Sequence, residues 1–248
     1  MSVLWRKVVF DLWNNKARTL LAVISIAAGL ITVGGIFGLL DQLLSSMDAA
    51  HRAVQPSHVN IILRDYVDQA VVDDLQQTPG VAGIDPVNQI SVRYKLNADD
   101  AEWKIGTLVE RPDYAAQTYD TLELKGGSWP SGLNLGVERL TSAQWGVGPG
   151  DTVILEVGGE ARAFSIDGRV RHPFVQPPPF GGQAHFFASA AGLAEFGVPE
   201  GRFGQLLVRV DDYSLAASQE IAGELRQRLG EQGYGVVVTL YQDPERHW

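Results

Sequence analysis

One uncharged stretch near the N-terminus constrains this chain more than any other feature. Residues 19–40 read TLLAVISIAAGLITVGGIFGLL, twenty-two residues without a charged side chain. As a helix they would extend roughly 33 Å at ~1.5 Å per residue, which matches the hydrocarbon core of a bilayer. A buried helix of a soluble protein is usually shorter and interrupted by polar residues. A cleavable signal peptide has a shorter apolar region that ends at a cleavage site, whereas Asp41 and an amphipathic continuation follow here.

The charges that flank this stretch predict its orientation. Basic side chains precede it and acidic ones follow it: Arg6, Lys7, Lys16 and Arg18, then Asp41 and Asp48. Because positive charges stay on the cytoplasmic side, the N-terminus is predicted to be cytoplasmic and everything after residue 44 to lie outside. The sequence therefore predicts one transmembrane helix at 19–44 in the cell (inner) membrane, with an extracytoplasmic main domain.

The segment before the span has an amphipathic pattern. Trp5, Val8, Val9, Leu12 and Trp13 share one helical face, and polar or charged residues fill most of the other. Tryptophan at headgroup depth and cations near anionic lipid are typical of a helix that lies in the membrane interface. We predict such a cytoplasmic helix at 1–18, in contact with membrane lipid. Its anchors would be Trp5, Arg6, Lys7, Trp13, Lys16 and Arg18; the alternative is a flanking segment without defined structure.

Small residues within the span indicate helix packing. Ser25 and Gly29 are four residues apart, and so are Gly34 and Gly38. In lipid, small-xxx-small pairs let a second helix backbone approach closely. We therefore predict that this helix packs against other membrane helices, which a simple anchor would not need.

The pattern beyond the span predicts a stalk and then an α+β domain. Helical periodicity continues over 45–56 and should stop near Pro56, because the residue before proline is pushed out of the α region. Residues 57–241 then alternate between strand and helix patterns, beginning β-α-β-β, and read as two interleaved small lobes whose strand order the sequence leaves open. Expected strands lie at 57–63, 87–96, 102–109, 148–157, 161–170, 185–189, 204–210 and 234–241, with a strand running into a helix over 132–146 and further helices at 67–80, 190–197 and 214–232.

Composition excludes several functions. The formal charge of −9 repels phosphate backbones, and no basic stripe follows the first twenty residues, which argues against nucleic-acid binding. With no cysteine the chain has no disulfide, thiolate metal site or cysteine nucleophile. The five histidines lack ligand spacing, and GVGPGD at 146–151 precedes a strand, unlike a dinucleotide loop. No hydrolase signature is present, so we expect neither a catalytic centre nor a cofactor in this chain.

Five sequence blocks follow one another along the chain: LWRKVVFDLWNNKARTLLAVISIAAGL at 4–30, PGVAGIDPV at 79–87, LELKGGSWP at 122–130, VGPGDTVIL at 147–155 and FSIDGRV at 164–170. In this order the blocks resemble the FtsX-like ABC-transporter permeases of the MacB type. The resemblance implies a MacB-like periplasmic core domain and further membrane helices, so that 242–248 would lead into a second span. It also implies a second permease copy or paralogue and a cytoplasmic ATPase subunit that docks on the later helices and holds the ATP.

A segment rich in proline and phenylalanine is the most unusual part of the α+β domain. Residues 172–187, HPFVQPPPFGGQAHFF, combine prolines and phenylalanines, so Phe174 and Phe180 either form a substrate or partner contact or cap the domain core. A single-span sensor or ligand-binding protein is the main alternative to a permease fragment. A membrane-anchored hydrolase lacks the required constellation of side chains.

Overall fold

The computed structural model describes residues 3–176 and 180–246. The chain divides into two compact units, Met1–Ala50 and His51–Trp248. The elements in chain order are α1 Val3–Asn14, α2 Lys16–Ala53, β1 Val59–Asp68, α3 Gln69–Gln76, β2 Val81–Lys95, β3 Lys104–Glu110, β4 Glu123–Gly127, β5 Leu135–Glu138, α4 Arg139–Trp145, β6 Thr152–Val157, β7 Glu160–Arg171, β8 Ala184–Ala188, α5 Ala190–Ala194, β9 Arg202–Val210, α6 Leu215–Glu231 and β10 Val236–Tyr241.

The first unit is dominated by the long helix α2, which has 38 residues and is therefore about 57 Å long at ~1.5 Å per residue. Its best 18-residue window has a mean hydropathy of 2.4, and none of that window is buried. Among the described residues, α2 is the one helix long and apolar enough to cross a membrane. Leucine and isoleucine side chains are exposed on all sides of α2, whereas in a core helix they would be buried.

The second unit contains two lobes that share one strand. In the first lobe the strand order is β10-β1-β9-β2, and every neighbouring pair is antiparallel. The helices α3 and α6 connect strands in this lobe, which gives the split βαβ arrangement of ferredoxin-like folds. Asp68 and Ser214 cap the N-termini of the two helices. The helices cover one face of the sheet over a core of buried residues: Val59, Ile61, Val67, Val72, Leu75, Leu206, Val208, Ala222, Leu225 and Leu229.

The second lobe is a closed barrel of six strands. The pairing runs from β2 through β3, β8, β5, β7 and β6 and returns to β2. Closure leaves no free edge in the ring, and β4 adds to β7 outside it. The interior is filled by apolar side chains, among them Tyr94, Leu108, Leu135, Leu155, Ile166 and Phe186.

Strand β2 joins the lobes because its two halves pair differently. Its first half pairs with β9 in the first lobe, and its second half pairs with β3 in the barrel. Gly83 lies where the first half passes Tyr119, and a Cβ there would come within 2.4 Å of the Tyr119 hydroxyl oxygen. A side chain at position 83 would therefore force the Tyr119 ring to shift.

The predicted fold class is confirmed: an N-terminal apolar helix precedes an α+β domain of two interleaved lobes. The predicted end of α2 before Pro56 and the β6–β7 hairpin at Gly158 and Gly159 are also confirmed. Three expectations were wrong. The first strand extends to Asp68, β2 begins at Val81 instead of residue 87, and strand β4 was missed. The missed strand contains two glycines and is half exposed, so it lacks the apolar alternation of a core strand.

Candidate functional site

The predicted packing stripe lies on an open surface of α2. No heavy atom comes within 4 Å of a Cβ built at Gly29, Gly34 or Gly38, and Ser25 is exposed as well. The side chains in the first unit therefore leave room for a neighbouring helix along this stripe. Packing against another membrane helix stays a prediction.

The predicted interfacial anchors lie on two helices instead of one over 1–18, because α1 ends at Asn14 and α2 begins at Lys16. Trp5 and Trp13 on α1 are 65% and 71% exposed, and Arg6, Lys7 and Arg18 are exposed too. The Lys16 Nζ atom lies 4.8 Å from the centroid of the Trp13 ring, a cation–π arrangement. Exposed rings beside cations suit the headgroup region of a membrane, and this placement of α1 stays a prediction.

The end of α2 is fixed to the α/β domain through a short connection that we call the joint, residues 54–57 together with 119–121. The backbone N–H of Asp120 donates to the Gln55 carbonyl oxygen at 3.1 Å, and that of Thr121 donates to Val54 at 3.0 Å. Arg209 donates to the Gln55 side-chain oxygen at 2.7 Å. Gln55 and Asp120 both have positive φ, at 53° and 49°. The hydrogen bonds therefore hold two uncommon backbone conformations within the second unit.

A buried carboxylate organises the joint. Asp120 is 5% exposed and accepts two hydrogen bonds from Ser57, from the backbone N–H and from the hydroxyl, each at 2.8 Å. Burial raises the pKa of Asp120, while these hydrogen bonds and the charge of Arg111 oppose that shift. The Arg111 guanidinium, itself buried, donates to the carbonyl oxygens of Tyr119 and Asp120 at 3.1 and 2.9 Å. The loop 119–121 is therefore held from both sides.

The two ends of the α/β domain meet at the same place. The Nε2 atom of His51, in the last turn of α2, lies 2.8 Å from the Asp243 carbonyl oxygen. Arg52 forms an ion pair with Glu245 at 3.3 Å, but both side chains are exposed, so this pair adds little stability. The backbone N–H of Gln242 donates to the His58 carbonyl oxygen at 3.1 Å. The chain therefore enters and leaves this domain side by side.

His58 lies next to the joint, and its contacts require a neutral imidazole ring. The ring is 2% exposed, packs 4.7 Å from Tyr213, and accepts a hydrogen bond at Nδ1 from the Val210 backbone N–H at 3.1 Å. Burial, followed by the positive charge of Arg209, lowers the pKa of His58 to about 4. Protonation at Nδ1 would replace this hydrogen bond with a clash of two donors.

We expect acid to destabilise the domain through His58. Its folded pKa of about 4 lies below the unfolded value of 6.5, so its stabilising contribution is present above pH 6.5 and is lost as the pH falls toward 4. Between pH 7.5 and 4.5 this amounts to about 2–3 kcal/mol. Urea unfolding of wild type and of His58→Asn, whose Oδ1 can replace Nδ1 as acceptor, measures it. Between pH 7.5 and 4.5 the free energy of unfolding of the variant should fall less than that of wild type, by this amount. An equal fall in both proteins would show that His58 is not the group responsible.

The two phenylalanines of the predicted contact loop differ in exposure. Phe174 is half-buried, and its ring lies 5.7 Å from that of His51 and 6.1 Å from that of His172. Phe180 is 79% exposed. Their role in binding a substrate or partner stays a prediction.

Sequence reasoning missed Asp120, Ser57 and Arg111. An aspartate in a polar loop signals only a turn, and nothing in its spacing points to a serine 63 residues earlier. Among the described residues no group of three or more histidine, aspartate or glutamate side chains is arranged to hold a metal ion.

No protein-family model matches this chain. No curated protein matches it either. The solved structures similar to it include two domains of transport proteins. The periplasmic region of MacB from Actinobacillus actinomycetemcomitans is 13% identical with a TM-score of 0.49, covering 77% of this chain and 91% of that region. The extracellular domain of the noncanonic ABC-type transporter YknZ from Gram-positive bacteria is 13% identical with a TM-score of 0.46, covering 72% of this chain and 100% of that domain. At these identities and scores, the two matches describe a similarity and carry no conclusion about function.

Proposed function

We propose that this chain is the N-terminal part of the permease subunit of an ABC transporter, and that its α/β domain couples ATP-driven movement of membrane helices to substrate handling outside the cytoplasm. In this proposal the chain is not an enzyme. ATP binds a separate cytoplasmic ATPase subunit, which docks on membrane helices that follow this domain. A second permease copy or a paralogue packs against the Ser25, Gly29, Gly34 and Gly38 stripe.

The joint is the observation that carries the proposal. A displacement of a membrane helix reaches a domain only if the connection between them is stiff, and a flexible linker would absorb it. Here α2 continues without interruption to Ala53, and the next four residues are held by hydrogen bonds to the loop 119–121 and to Arg209. A tethered binding module has no need for such a fixed connection.

The neighbouring chain ends support the same proposal. A permease domain inserted between two membrane helices needs its entry and exit close together, because both must return to one membrane. The contact between His51 and Asp243 fits this requirement. The order of sequence blocks that resembles FtsX-like permeases is a further reason for it.

The test is the composition of the complex in native membranes. The protein carrying an N-terminal tag, expressed from its own gene, is purified in mild detergent. We expect an ATPase with a P-loop to co-purify in stoichiometric amount, with vanadate-sensitive ATP hydrolysis. A single-span sensor or ligand-binding protein, the alternative, predicts no such subunit.

A helix break in α2 tests the coupling. Ala49 is exposed on the last part of α2, and proline there removes a helical hydrogen bond and kinks the helix. Ala49→Pro should leave the complex assembled but uncouple ATP hydrolysis from transport, whereas the control Ala49→Ser should not. Normal coupling in the proline variant would show that α2 does not transmit movement.

A further inference from the structure

A cavity of about 250 Å³ lies within the α/β domain, on the face of the first-lobe sheet that α3 and α6 leave uncovered. Ile62 and Leu207 contribute from this sheet, and Phe174 and His172 contribute from the loop after β7. The strand alternation explains the lining, because Leu206 and Val208 belong to the helix-covered core while Gln205 and Leu207 point to the opposite face. Its size suits a small molecule.

One buried amide oxygen in this cavity lacks a partner among the described residues, and a second amide lies beside it. Gln205 is 8% exposed, and its side chain lines the cavity. Asn60, on the neighbouring strand, also lines the cavity, and its Oδ1 has no partner. Buried amides are normally satisfied, and leaving one unsatisfied costs free energy. By contrast, nearby Asn88 is fully used, since it bonds Glu110, Arg202 and Gly204.

Two histidines add one donor and one acceptor. His172 accepts at Nδ1 from the Phe174 backbone N–H at 3.2 Å, so the neutral ring carries its hydrogen on Nε2. His185 lies 3.0 Å from the Gln183 carbonyl oxygen through Nδ1, which must therefore carry the hydrogen and leave Nε2 as an acceptor. Burial lowers the pKa of His172 to about 3, with the charges of His185 and Arg111 adding to this, and burial lowers the pKa of His185 too. Both rings are neutral at pH 7.

The remaining walls combine an apolar part with a polar part. The apolar part comprises Ile62, Val87, Val109, Leu207, Leu240 and Phe174, and the polar part comprises Asn88, Gln89, Arg111 and Asp120. Apolar walls with a few converging polar groups are typical of small-molecule sites. Neither charge on a ligand is favoured, because the opposite charges of Arg111 and Asp120 at the cavity compensate each other.

We propose that this cavity binds an uncharged carboxamide with a short aliphatic arm. The ligand amide would exchange hydrogen bonds with Gln205, accept from His172 Nε2 and donate to His185 Nε2, while the aliphatic arm contacts Ile62, Leu207 and Leu240. Phe174 forms one wall of the cavity and also packs on His51 in the last turn of α2. The site goes beyond the proposed transport function and does not depend on it.

The test uses N-acetyl-leucinamide as the probe and the full chain in lipid nanodiscs at pH 7.5. Ligand-observed saturation-transfer NMR should show saturable binding in the millimolar range. The carboxylate analogue N-acetyl-leucine should bind at least about tenfold more weakly, because its charge faces two acceptors. Absence of saturable binding by the amide, or equal binding of the two compounds, would overturn the proposal.

Two pairs of variants assign the binding to this cavity. Gln205→Leu should weaken binding about tenfold, while Gln227→Leu, the same change at an exposed position on α6, should leave it unchanged. Phe174→Ala should also weaken binding, and Phe180→Ala in the same loop should not. Wild-type affinity in Gln205→Leu would refute the site.

A stability measurement separates binding from a structural role. Gln205→Leu replaces a mostly buried amide with an apolar side chain of similar size, so its unfolding midpoint should equal or exceed that of wild type. A lower midpoint together with lost binding would mean that the amide supports the fold and does not serve a ligand.

Discussion

Replacing Asp120 with alanine is expected to destabilise the α/β domain by roughly 3–5 kcal/mol. The change leaves the buried Ser57 N–H and hydroxyl without their acceptor. Hydrogen bonds to a charged group contribute ~1.5–3 kcal/mol each. Alanine must also adopt the positive φ of 49° at this position, which aspartate tolerates better. The buried charge of Arg111 loses its nearest compensating carboxylate.

Three variants in urea unfolding resolve these contributions. Asp120→Asn keeps an acceptor and a residue suited to positive φ, so it should lose only about 1–2 kcal/mol. Asp99→Ala, an exposed aspartate in the β2–β3 connection, should lose less than about 0.5 kcal/mol. Trp103, Trp129 and Trp145 report on the domain by fluorescence. If Asp120→Ala behaves like Asp99→Ala, the carboxylate does not hold the joint.

The sequence predicted those parts of the fold that local patterns determine. The uncharged run gave α2, the Gly158-Gly159 turn gave the β6–β7 hairpin, and the apolar stripe of the last helix gave α6. Each depends on residues close in the chain, so periodicity and turn chemistry suffice. Their lengths were less predictable, as β1 and β2 show, because pairing partners far along the chain set where a strand begins and ends.

The barrel and the joint could not be predicted in this way. Closure requires Tyr94 on β2 to pair with Leu155 on β6, and no local pattern specifies that contact. The joint depends on Ser57 meeting Asp120, also through tertiary structure. The cavity did leave one signal, which is the single amide Gln205 before the apolar run Leu206, Leu207 and Val208 in β9. A polar side chain in a strand buried on both faces indicates a partner or a ligand.

Two aspartates in the middle of the uncharged run should remove the chain from the membrane. Ile31 and Ile36 are 74% and 60% exposed on α2, so no side chain of the first unit would shield a charge there. An aspartate at the centre of a membrane helix costs ~2.5–3.5 kcal/mol, which makes about 5–7 kcal/mol for the pair. Ile31→Asp with Ile36→Asp should therefore disappear from carbonate-washed membranes. The matched change, Ala49→Asp with Ala50→Asp, lies beyond the predicted span and should stay.

The same variants also test the orientation of the chain. The protein contains no cysteine of its own, so a single introduced cysteine can be labelled at one site. A cysteine introduced by Asp99→Cys lies on an exposed connection of the α/β domain. In the Ala49→Asp, Ala50→Asp background, a membrane-impermeant maleimide should label it in intact cells. In the Ile31→Asp, Ile36→Asp background, labelling should require lysis, since a chain that fails to insert leaves its domain in the cytosol. Labelling of intact cells in both backgrounds would show that the two aspartates do not prevent insertion. Labelling in neither background would place the domain on the cytoplasmic side. A permease whose α/β domain handles substrate outside the cell membrane requires labelling of intact cells in the Ala49→Asp, Ala50→Asp background and labelling only after lysis in the Ile31→Asp, Ile36→Asp background.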